Sequence, residues 1–315
     1  MLNRRYLRIK VYQSLYAFWQ SDDASAAKIE KELFLSIERT YDLYVALLML
    51  FGEMRRLAEL RIEDRRKKHL PTPEDLNPSR RFVDNPVLVC LAESPKLQAE
   101  ADKRRISWVG HHDLLIKLYR EFEASETYKT YMALPATTLK QDQQVVLGLF
   151  LDHIAQNEQL HDHYEAKSIY WLEDLDLACT LVKRTIEDVR PDTGDLALSD
   201  LSRDPAEENA FVRTLYRRSI ELGTEHEEVI AAKASNWESD RIAVTDMILM
   251  KMALTEAREF TDIPVKVTLN EYIEIAKAYS TPKSKNFVNG ILDKLFAEMK
   301  ESGAIRKAGR GLLEN

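Results

Sequence analysis

The chain has 315 residues, 45% of them hydrophobic, and is long enough to bury one large core or two ordinary ones. Its formal net charge of -7 excludes a protein whose whole surface is built for nucleic acid, so any such binding must come from a local patch. Two cysteines without a CxxC pair exclude a disulfide framework and favour a reducing, cytoplasmic compartment.

Apolar residues recur at intervals of three and four rather than two, a spacing typical of helices. Nine glycines and ten prolines leave long uninterrupted segments, so the sequence predicts an all-α fold. The predicted helices cover residues 3–19, 25–68, 108–122, 140–160, 164–189, 205–222, 225–236, 240–259, 270–280 and 284–301.

Clusters of proline, glycine and aspartate mark the predicted breaks between these helices. They fall at residues 70–86, 133–138 and 190–205, and the last is the strongest candidate for a domain boundary. We therefore expect an N-terminal region of residues 1–40, a central helical region of residues 41–204 and a C-terminal helical region of residues 205–315.

The first predicted helix carries two adjoining faces. Leu7, Val11, Leu15 and Phe18 fall in one sector of the helical wheel and form an ordinary core-facing stripe. The neighbouring sector holds Arg4, Arg5, Arg8, Tyr12, Tyr16 and Trp19. Basic groups bind phosphates and aromatic rings stack on unpaired bases, so this face favours single-stranded RNA over duplex DNA. The alternative is a solvated basic face without a ligand.

The best membrane candidate is the apolar run "LYVALLMLF" at residues 43–51, flanked by Asp42 and Glu53. It is far shorter than the roughly 20 residues that a spanning helix needs, so it predicts a buried core helix. The N-terminus has no small-residue cleavage site after its apolar residues, and we expect neither a signal peptide nor membrane binding.

The histidine-rich segment "DHIAQNEQLHDHYE" at residues 152–165 raises the question of a metal site. Glu158 and His161 form one Glu-x-x-His on a helix face, but a di-iron set needs a second, which the sequence lacks. P-loop, GxGxxG and GxSxG motifs are also absent. The sequence therefore predicts no metal, no cofactor and no enzymatic activity.

The C-terminal region begins with predicted helix 240–259, which is apolar nearly all round and should pack centrally. After Pro264 we expect a short extended "VKVT", with Asn270 as the N-cap of a helix starting at Glu271. In the last helix Asn289 and Gly290 lie off the apolar face. That placement indicates either close backbone approach at Gly290 or a ligand contacted by Asn289.

Two patterns at opposite ends of the chain resemble one known family. The N-terminal helix contains Gln-x-Leu-Tyr at residues 13–16. The C-terminal pattern consists of Ile263, Pro264, Asn270, Glu271, Ala276, Lys277, Phe-Val-Asn-Gly at 287–290, Leu292 and Asp293. Together they resemble the NusB family of transcription antitermination factors, over about 20 N-terminal and about 100 C-terminal residues.

The resemblance implies an all-α bundle of two helical subdomains, without enzymatic activity, that binds boxA-type RNA. It also implies a complex with NusE, a ribosomal protein, and with the transcription elongation complex, in support of ribosomal RNA transcription. The RNA-binding residues carry over as Arg4, Arg5, Arg8, Gln13, Tyr16, Tyr279, Phe287 and Asn289. For the NusE surface we expect the polar edge of the central helix, at Asp246 and Glu256.

The chain departs from this family in several ways. Relatives are commonly less than half as long, so residues 41–204 resemble an insertion about which the family implies nothing. Ser280 stands where glycine is usual, and Lys283 and Lys285 make a turn basic that is often acidic. If the insertion is accommodated without disturbing the rest, residues 1–20 and 205–301 should share one core.

The alternative function is a helical scaffold that engages a protein partner and no longer binds boxA RNA. A fused RNA methyltransferase would need a glycine-rich α/β domain that this sequence lacks.

Overall fold

Helices occur throughout the described part of the chain, as the spacing of apolar residues predicts. The structure is a computed structural model, and it describes residues 3–21, 25–193, 196–234 and 242–313. Within those ranges there are helices and loops but no strands, which confirms the predicted all-α fold. The same ranges contain no helix with both the length and the apolar character needed to cross a bilayer.

The α-helices follow one another along the whole chain. In the first half they are α1 (Arg4–Gln20), α2 (Ala26–Arg66), α3 (Pro73–Leu76), α4 (Pro86–Ala92), α5 (Pro95–Arg104), α6 (His112–Ala124), α7 (Glu126–Ala133) and α8 (Leu139–Gly148). A π-helix at Leu149–Ile154 continues α8. The second half holds α9 (Glu158–Lys167), α10 (Trp171–Asp188), α11 (Pro205–Glu221), α12 (Gly223–Ala234), α13 (Val244–Glu259), α14 (Val265–Tyr279) and α15 (Ser284–Glu301). Short 3-10 turns occur at Pro191–Thr193 and Gly309–Leu312.

These helices form two compact units. We call Leu2–Ile37 with Ser202–Asn315 the terminal unit, and Glu38–Leu201 the central unit. The chain passes between them inside α2 and again just before α11. The predicted region limits lie at residues 40/41 and 204/205, within three residues of these two crossings.

The terminal unit is built around α13. Nearly every residue of α13 from Asp246 to Ala257 is buried, as expected for a helix that is apolar nearly all round. Leu7, Val11, Tyr12 and Leu15 of α1 join the same core as α11, α13, α14 and α15. The prediction that the two ends of the chain share one core is therefore confirmed.

The central unit has its own core, to which α2 contributes most. Leu43, Leu47 and Phe51 have no exposed surface and lie among buried residues of α4, α6, α8 and α10. The apolar run at 43–51 is thus a core segment, as predicted. Burying it removes hundreds of Å² of apolar surface from water, at roughly 25 cal/mol per Å².

Several predicted boundaries in the central unit are wrong. Predicted helix 140–160 corresponds to α8 and the π-helix, which ends at Ile154. Predicted helix 164–189 is divided between α9 and α10 by the turn at Ser168. Helices α3, α4, α5 and α7 lie in stretches without a predicted helix, where Pro86 and Pro95 each occupy a first helical turn. The predicted ends of helices 225–236 and 240–259 lie partly at residues 235–241, outside the described residues.

The expected extended segment before residue 270 is also wrong. Helix α14 begins at Val265 directly after Pro264, so Asn270 lies within the helix and does not cap it. Val265 and Thr268 are β-branched, yet both are buried, and the Thr268 hydroxyl donates to Glu256 Oε1 at 2.8 Å. Tertiary packing of this turn outweighs its intrinsic preference for extended backbone.

Candidate nucleic-acid interface

Helices α1 and α14 lie side by side in the terminal unit and run in the same direction. Arg5 near the start of α1 makes two hydrogen bonds to Glu271, from Nε to Oε2 and from Nη2 to Oε1, both 2.8 Å. Two turns later the rings of Tyr12 and Tyr279 lie 5.5 Å apart. We call the groups along this line the α1–α14 seam: Arg4, Arg5, Gln13, Tyr16 and Tyr279, of which Arg5 and Tyr16 are exposed and the others half-buried.

The basic end of the seam is positioned by the start of α1. Asn3 caps the helix by accepting a hydrogen bond from the Tyr6 amide at 2.7 Å, and the first turn contains no acidic residue. The Arg4 guanidinium lies 4.2 Å from the centre of the Phe211 ring and is paired with Glu207. The side chain of Arg5 is 45% exposed. Both arginines therefore have guanidinium groups at the surface.

The Arg5–Glu271 pair is ionised at neutral pH. Hydrogen bonding to Arg5 lowers the pKa of Glu271, and the same bond raises the pKa of Arg5. A fork of two parallel hydrogen bonds fixes the plane of the Arg5 guanidinium. The arginine is thus held in a set orientation at the side of the seam rather than extended freely into solvent.

The expected place of Arg8 on the exposed basic face is wrong. Arg8 is only 2% exposed and makes two hydrogen bonds to Glu256, from Nε at 2.6 Å and from Nη2 at 2.8 Å. Tyr272 and Thr268 donate to the same carboxylate. A charged group is stable in a core only when its partners compensate for the lost hydration. Arg8 and Glu256, both expected at the surface, compensate for each other here.

The expectation that Glu256 and Asp246 lie on an exposed polar edge of the central helix is also wrong. Glu256 has no exposed surface and Asp246 is 4% exposed, because other helices surround α13. Asp246 Oδ1 accepts a hydrogen bond of 2.6 Å from Ser280 Oγ, and that hydroxyl also lies 2.8 Å from Thr245 Oγ1. Neither carboxylate can form a direct partner surface in this structure.

Ser280 thus joins the turn between α14 and α15 to the beginning of α13. The hydroxyl of Ser284, itself buried, lies within 2.9 Å of the Ser280 and Thr281 hydroxyls. This network fixes the turn that carries Lys283 and Lys285, both of which are exposed and have no ion-pair partner among the described residues.

At the aromatic end of the seam Tyr16 is exposed, and Tyr279 packs against the buried Tyr12. Tyr16 is 42% exposed, whereas Tyr12 is 4% exposed. Burial raises the pKa of Tyr12 to about 12, so its hydroxyl stays neutral and can donate a hydrogen bond at any physiological pH. Gln13, one turn before Tyr16, is half-buried on the same helix.

Phe287 and Asn289 lie on the first half of α15. Phe287 packs partly against the core of the terminal unit, and Asn289 Nδ2 donates to Asp293 Oδ2 at 3.0 Å. The structure therefore brings Tyr279 directly to α1, whereas Phe287 and Asn289 lie on the neighbouring helix α15. Sequence reasoning missed the role of Glu271 as the partner of Arg5, although it noted this residue in the C-terminal pattern.

The histidines of the central unit do not form a metal site in the described residues. The structure there contains no group of three histidine, cysteine or carboxylate side chains suitable for an ion. His161 Nε2 lies 2.9 Å from the Ala155 carbonyl oxygen, and the rings of His111 and His163 lie 4.3 Å apart beside Trp108. Burial lowers the pKa of His163, which favours neutral packing over a charged role.

A family model described as the NusB family matches residues 175–297. The match begins inside α10 of the central unit, so the likeness reaches further into the middle of the chain than the C-terminal pattern indicates.

Several curated relatives carry the name transcription antitermination protein NusB. The one from Salinibacter ruber is 42% identical over 121 residues, covering 37% of this chain and 76% of that protein. The one from Chloroherpeton thalassium is 52% identical over 85 residues, covering 27% of this chain and 40% of that protein. The one from Natranaerobius thermophilus is 32% identical over 92 residues, with 29% and 66% covered. No solved structure matches the chain.

Proposed function

This chain belongs to the NusB family, and on that premise we propose that it is a transcription antitermination factor that binds boxA-type single-stranded RNA along the α1–α14 seam. It acts there with NusE as a protein partner, within the transcription elongation complex, and supports ribosomal RNA transcription. The family is not enzymatic, and neither is this chain. A cytoplasmic site of action fits its two free cysteines.

The observation that carries this proposal is the order of groups along one helix. Arg4 and Arg5 stand at the start of α1, and Gln13 and Tyr16 follow on the same helix. At 1.5 Å per residue, Arg5 and Tyr16 are separated by about 16 Å along the axis. Arginines bind backbone phosphates, and tyrosine and glutamine side chains stack on or hydrogen-bond to unpaired bases.

The revised set of RNA contacts omits Arg8. Its buried guanidinium is paired with Glu256 and lies 3.6 Å from Glu271 Oε2, and we propose that it supports the seam by holding α1 against α13 and α14. Asn289 and Phe287 remain proposed contacts on α15, and the exposed Lys283 and Lys285 add positive charge at its start.

NusE is proposed as a partner on family likeness alone. Asp246 and Glu256 do not serve as its contacts, because both carboxylates are buried and hydrogen-bonded within the terminal unit. An interface with NusE therefore has to use exposed side chains outside the interior around α13.

The proposal is tested by the binding of labelled RNA to the purified full-length chain. Fluorescence anisotropy is measured with a short boxA-type RNA and a scrambled RNA, with and without NusE, across a salt series. We expect tighter, sequence-dependent binding to the boxA-type strand when NusE is present. Equal, weak binding to both strands would contradict the proposal and favour a helical scaffold that engages a protein partner.

A single arginine tests the seam itself. Arg5→Ala should weaken binding and reduce the slope of log affinity against log salt by about 0.7, the value for one phosphate contact on a single strand. Arg56→Ala in the central unit is a matched control. Its side chain is 48% exposed and paired with Glu53 at 2.8 Å, against 45% and 2.8 Å for Arg5 with Glu271. An equal effect of both substitutions would rule out a specific role for the seam.

A further inference from the structure

The segment that follows α15, residues 302–313, folds back onto the turn between α13 and α14. Ile305 is buried in the core of the terminal unit, and its amide donates to the Met299 carbonyl at 3.0 Å. Lys307 Nζ donates to the Phe260 carbonyl at 2.7 Å, and the Ala308 amide donates to the Thr261 carbonyl at 2.9 Å. The segment is therefore held at several points, and its path is defined.

Two glycines make the last part of this path possible. Gly309 has a φ of +53°, a left-handed conformation that glycine adopts without strain. Gly311 lies so close to the preceding turn that an added Cβ would be 1.9 Å from the Thr261 carbonyl oxygen. Arg310 stands between them, so the backbone on both sides of this arginine is fixed by local geometry.

The fixed path places Arg310 beside the start of α1. A groove of about 820 Å³ is lined by Asn3, Arg4, Arg5, Pro264, Arg310 and Leu313, among others. The first 20 residues contain four basic residues and no acid, and residues 302–313 contain three basic residues between Glu301 and Glu314. The fold brings arginines from these two ends into one groove.

Three carboxylates line the groove, those of Glu207, Asp262 and Glu271, and the first and last of them are already paired with arginines of α1. Glu207 is paired with Arg4, and Glu271 with Arg5. Burial lowers the pKa of Lys307 to about 8, and the neighbouring carboxylates of Glu256 and Asp262 partly oppose that shift. The exposed side chain of Arg310 has no hydrogen-bond or ion-pair partner among the described residues. It is thus a groove cation that can bind an anion without giving up an existing partner.

We propose that residues 302–313 form part of the RNA-binding surface and that Arg310 contacts a backbone phosphate in the groove it shares with Arg4 and Arg5. The inference rests on the proposed function and extends it beyond the family match, which ends at residue 297. A planar guanidinium binds a phosphate through two parallel hydrogen bonds, and the groove is continuous with the basic end of the α1–α14 seam. A phosphodiester strand fits both features.

Three variants of the full-length chain test this proposal with the boxA-type RNA and salt series described above. Arg310→Gln removes the charge, and we expect affinity at low salt to fall about threefold to tenfold and the salt slope to shrink by about 0.7. Gly311→Val keeps the charge but forces the segment away from Thr261, and should cause the same loss. Arg306→Gln is the matched control, an exposed arginine of the same segment that does not line the groove, and should change neither quantity.

The combination of the first two variants sharpens the test. Because both remove one contact, the double variant Arg310→Gln with Gly311→Val should bind no more weakly than either single variant. Circular dichroism and thermal unfolding of each variant check that the helices are intact. Effects that add, or an equal loss in Arg306→Gln, would overturn the assignment to Arg310.

The outcomes separate this inference from the proposed function. If Arg5→Ala weakens binding and Arg310→Gln does not, the inference is wrong and the proposed function stands. If Arg310→Gln weakens binding and Arg5→Ala does not, the segment binds RNA and the role of the seam is wrong. If the unchanged chain does not distinguish the two RNAs with or without NusE, the proposed function fails and the inference falls with it.

Discussion

The terminal and central units use polar residues in different ways. In the terminal unit ion pairs join helices far apart in sequence, such as Arg4 with Glu207, Arg5 with Glu271 and Arg8 with Glu256. In the central unit many pairs lie three or four residues apart on one helix, as for Arg56 with Glu53 and Lys129 with Glu126. Long-range pairs fix the relative positions of helices, whereas local pairs stabilise one helix by only a few tenths of a kcal/mol.

The two units also differ in charge. Acidic residues outnumber basic ones in the central unit, whereas the two balance in the terminal unit. The net negative charge of the chain is therefore carried by the central unit, and the basic ends of the sequence are concentrated in the terminal unit. The net charge of the whole molecule therefore does not describe the terminal unit, where Arg4, Arg5 and Arg310 line one groove.

The largest expected effect tests the long-range pair at the centre of the terminal unit. Glu256→Gln leaves the Arg8 charge buried without a full partner, and we expect a loss of about 3–5 kcal/mol in unfolding free energy, measured by urea denaturation. The exposed pair of the central unit is the comparison: Arg56→Ala should cost less than about 1 kcal/mol.

A double variant distinguishes the pair from its packing. Replacing Arg8 by Met together with Glu256 by Leu removes both charges and keeps apolar volume, so stability should largely recover relative to Glu256→Gln. If Glu256→Gln cost no more than Arg56→Ala, the difference between long-range and local pairs would disappear.

The second effect is a pH dependence of the terminal unit. Burial lowers the pKa of His226 to about 4, and its Nε2 has no hydrogen-bond partner among the described residues. The unfolded chain then takes up this proton near pH 6.5 and the folded chain only near pH 4, so stability should fall as pH drops through this window, by about 3 kcal/mol at most.

The measurement is the difference between the wild type and His226→Phe in urea midpoint from pH 7 to pH 4. The variant should lose this part of the pH dependence, because a phenylalanine ring does not titrate. An identical pH profile for both proteins would show that His226 does not contribute.

The third effect lies in the central unit. Tyr131 OH donates to Asp142 Oδ1 at 2.6 Å and accepts from Asn85 Nδ2 at 3.0 Å, all within the core. Tyr131→Phe leaves both partners short of a hydrogen bond, and we expect a loss of about 1–3 kcal/mol in unfolding free energy.

The RNA affinity of the same variant tests whether the central unit contributes to the RNA-binding surface. At a temperature well below its melting point, Tyr131→Phe should bind the boxA-type RNA with unchanged affinity, because the seam lies in the terminal unit. Tyr16→Phe is the stability control, since the exposed Tyr16 hydroxyl leaves no buried group unsatisfied when removed. Weaker RNA binding by Tyr131→Phe would assign part of the RNA surface to the central unit.

Sequence periodicity predicted most of the helices because burial of an apolar stripe decides helix formation in a folded protein. It identified α1, α2, α11, α13 and α15 closely. It missed the start of α14, where β-branched residues suggest extended backbone, because the contact between Thr268 and Glu256 is made across helices. It also missed the short proline-initiated helices of the central unit, which are too brief to show a period.

The sequence predicted the types of residue at the candidate site but not which of them are exposed. The basic and aromatic residues of α1 are visible in the sequence, because a 3.6-residue period places them on adjoining sectors. Which arginine is exposed is not visible: Arg5 and Arg8 look alike on the wheel, yet one is 45% exposed and the other is buried. The difference arises because Arg8 faces a carboxylate on α13, and a helical wheel contains no information about the opposing helix.

The sequence by itself determined the fold class, the resemblance to one family and the basic and aromatic character of the N-terminal helix. Only the tertiary structure decided that Arg8, Glu256 and Asp246 are internal, that Glu271 orients Arg5, and that Arg310 lies in the same groove as Arg4 and Arg5. The physical reason is the separation of the interacting residues along the sequence. Helix propensity and amphipathic period depend on neighbouring residues. Ion pairing, burial and groove formation depend on residues up to hundreds of positions apart, which meet only after folding.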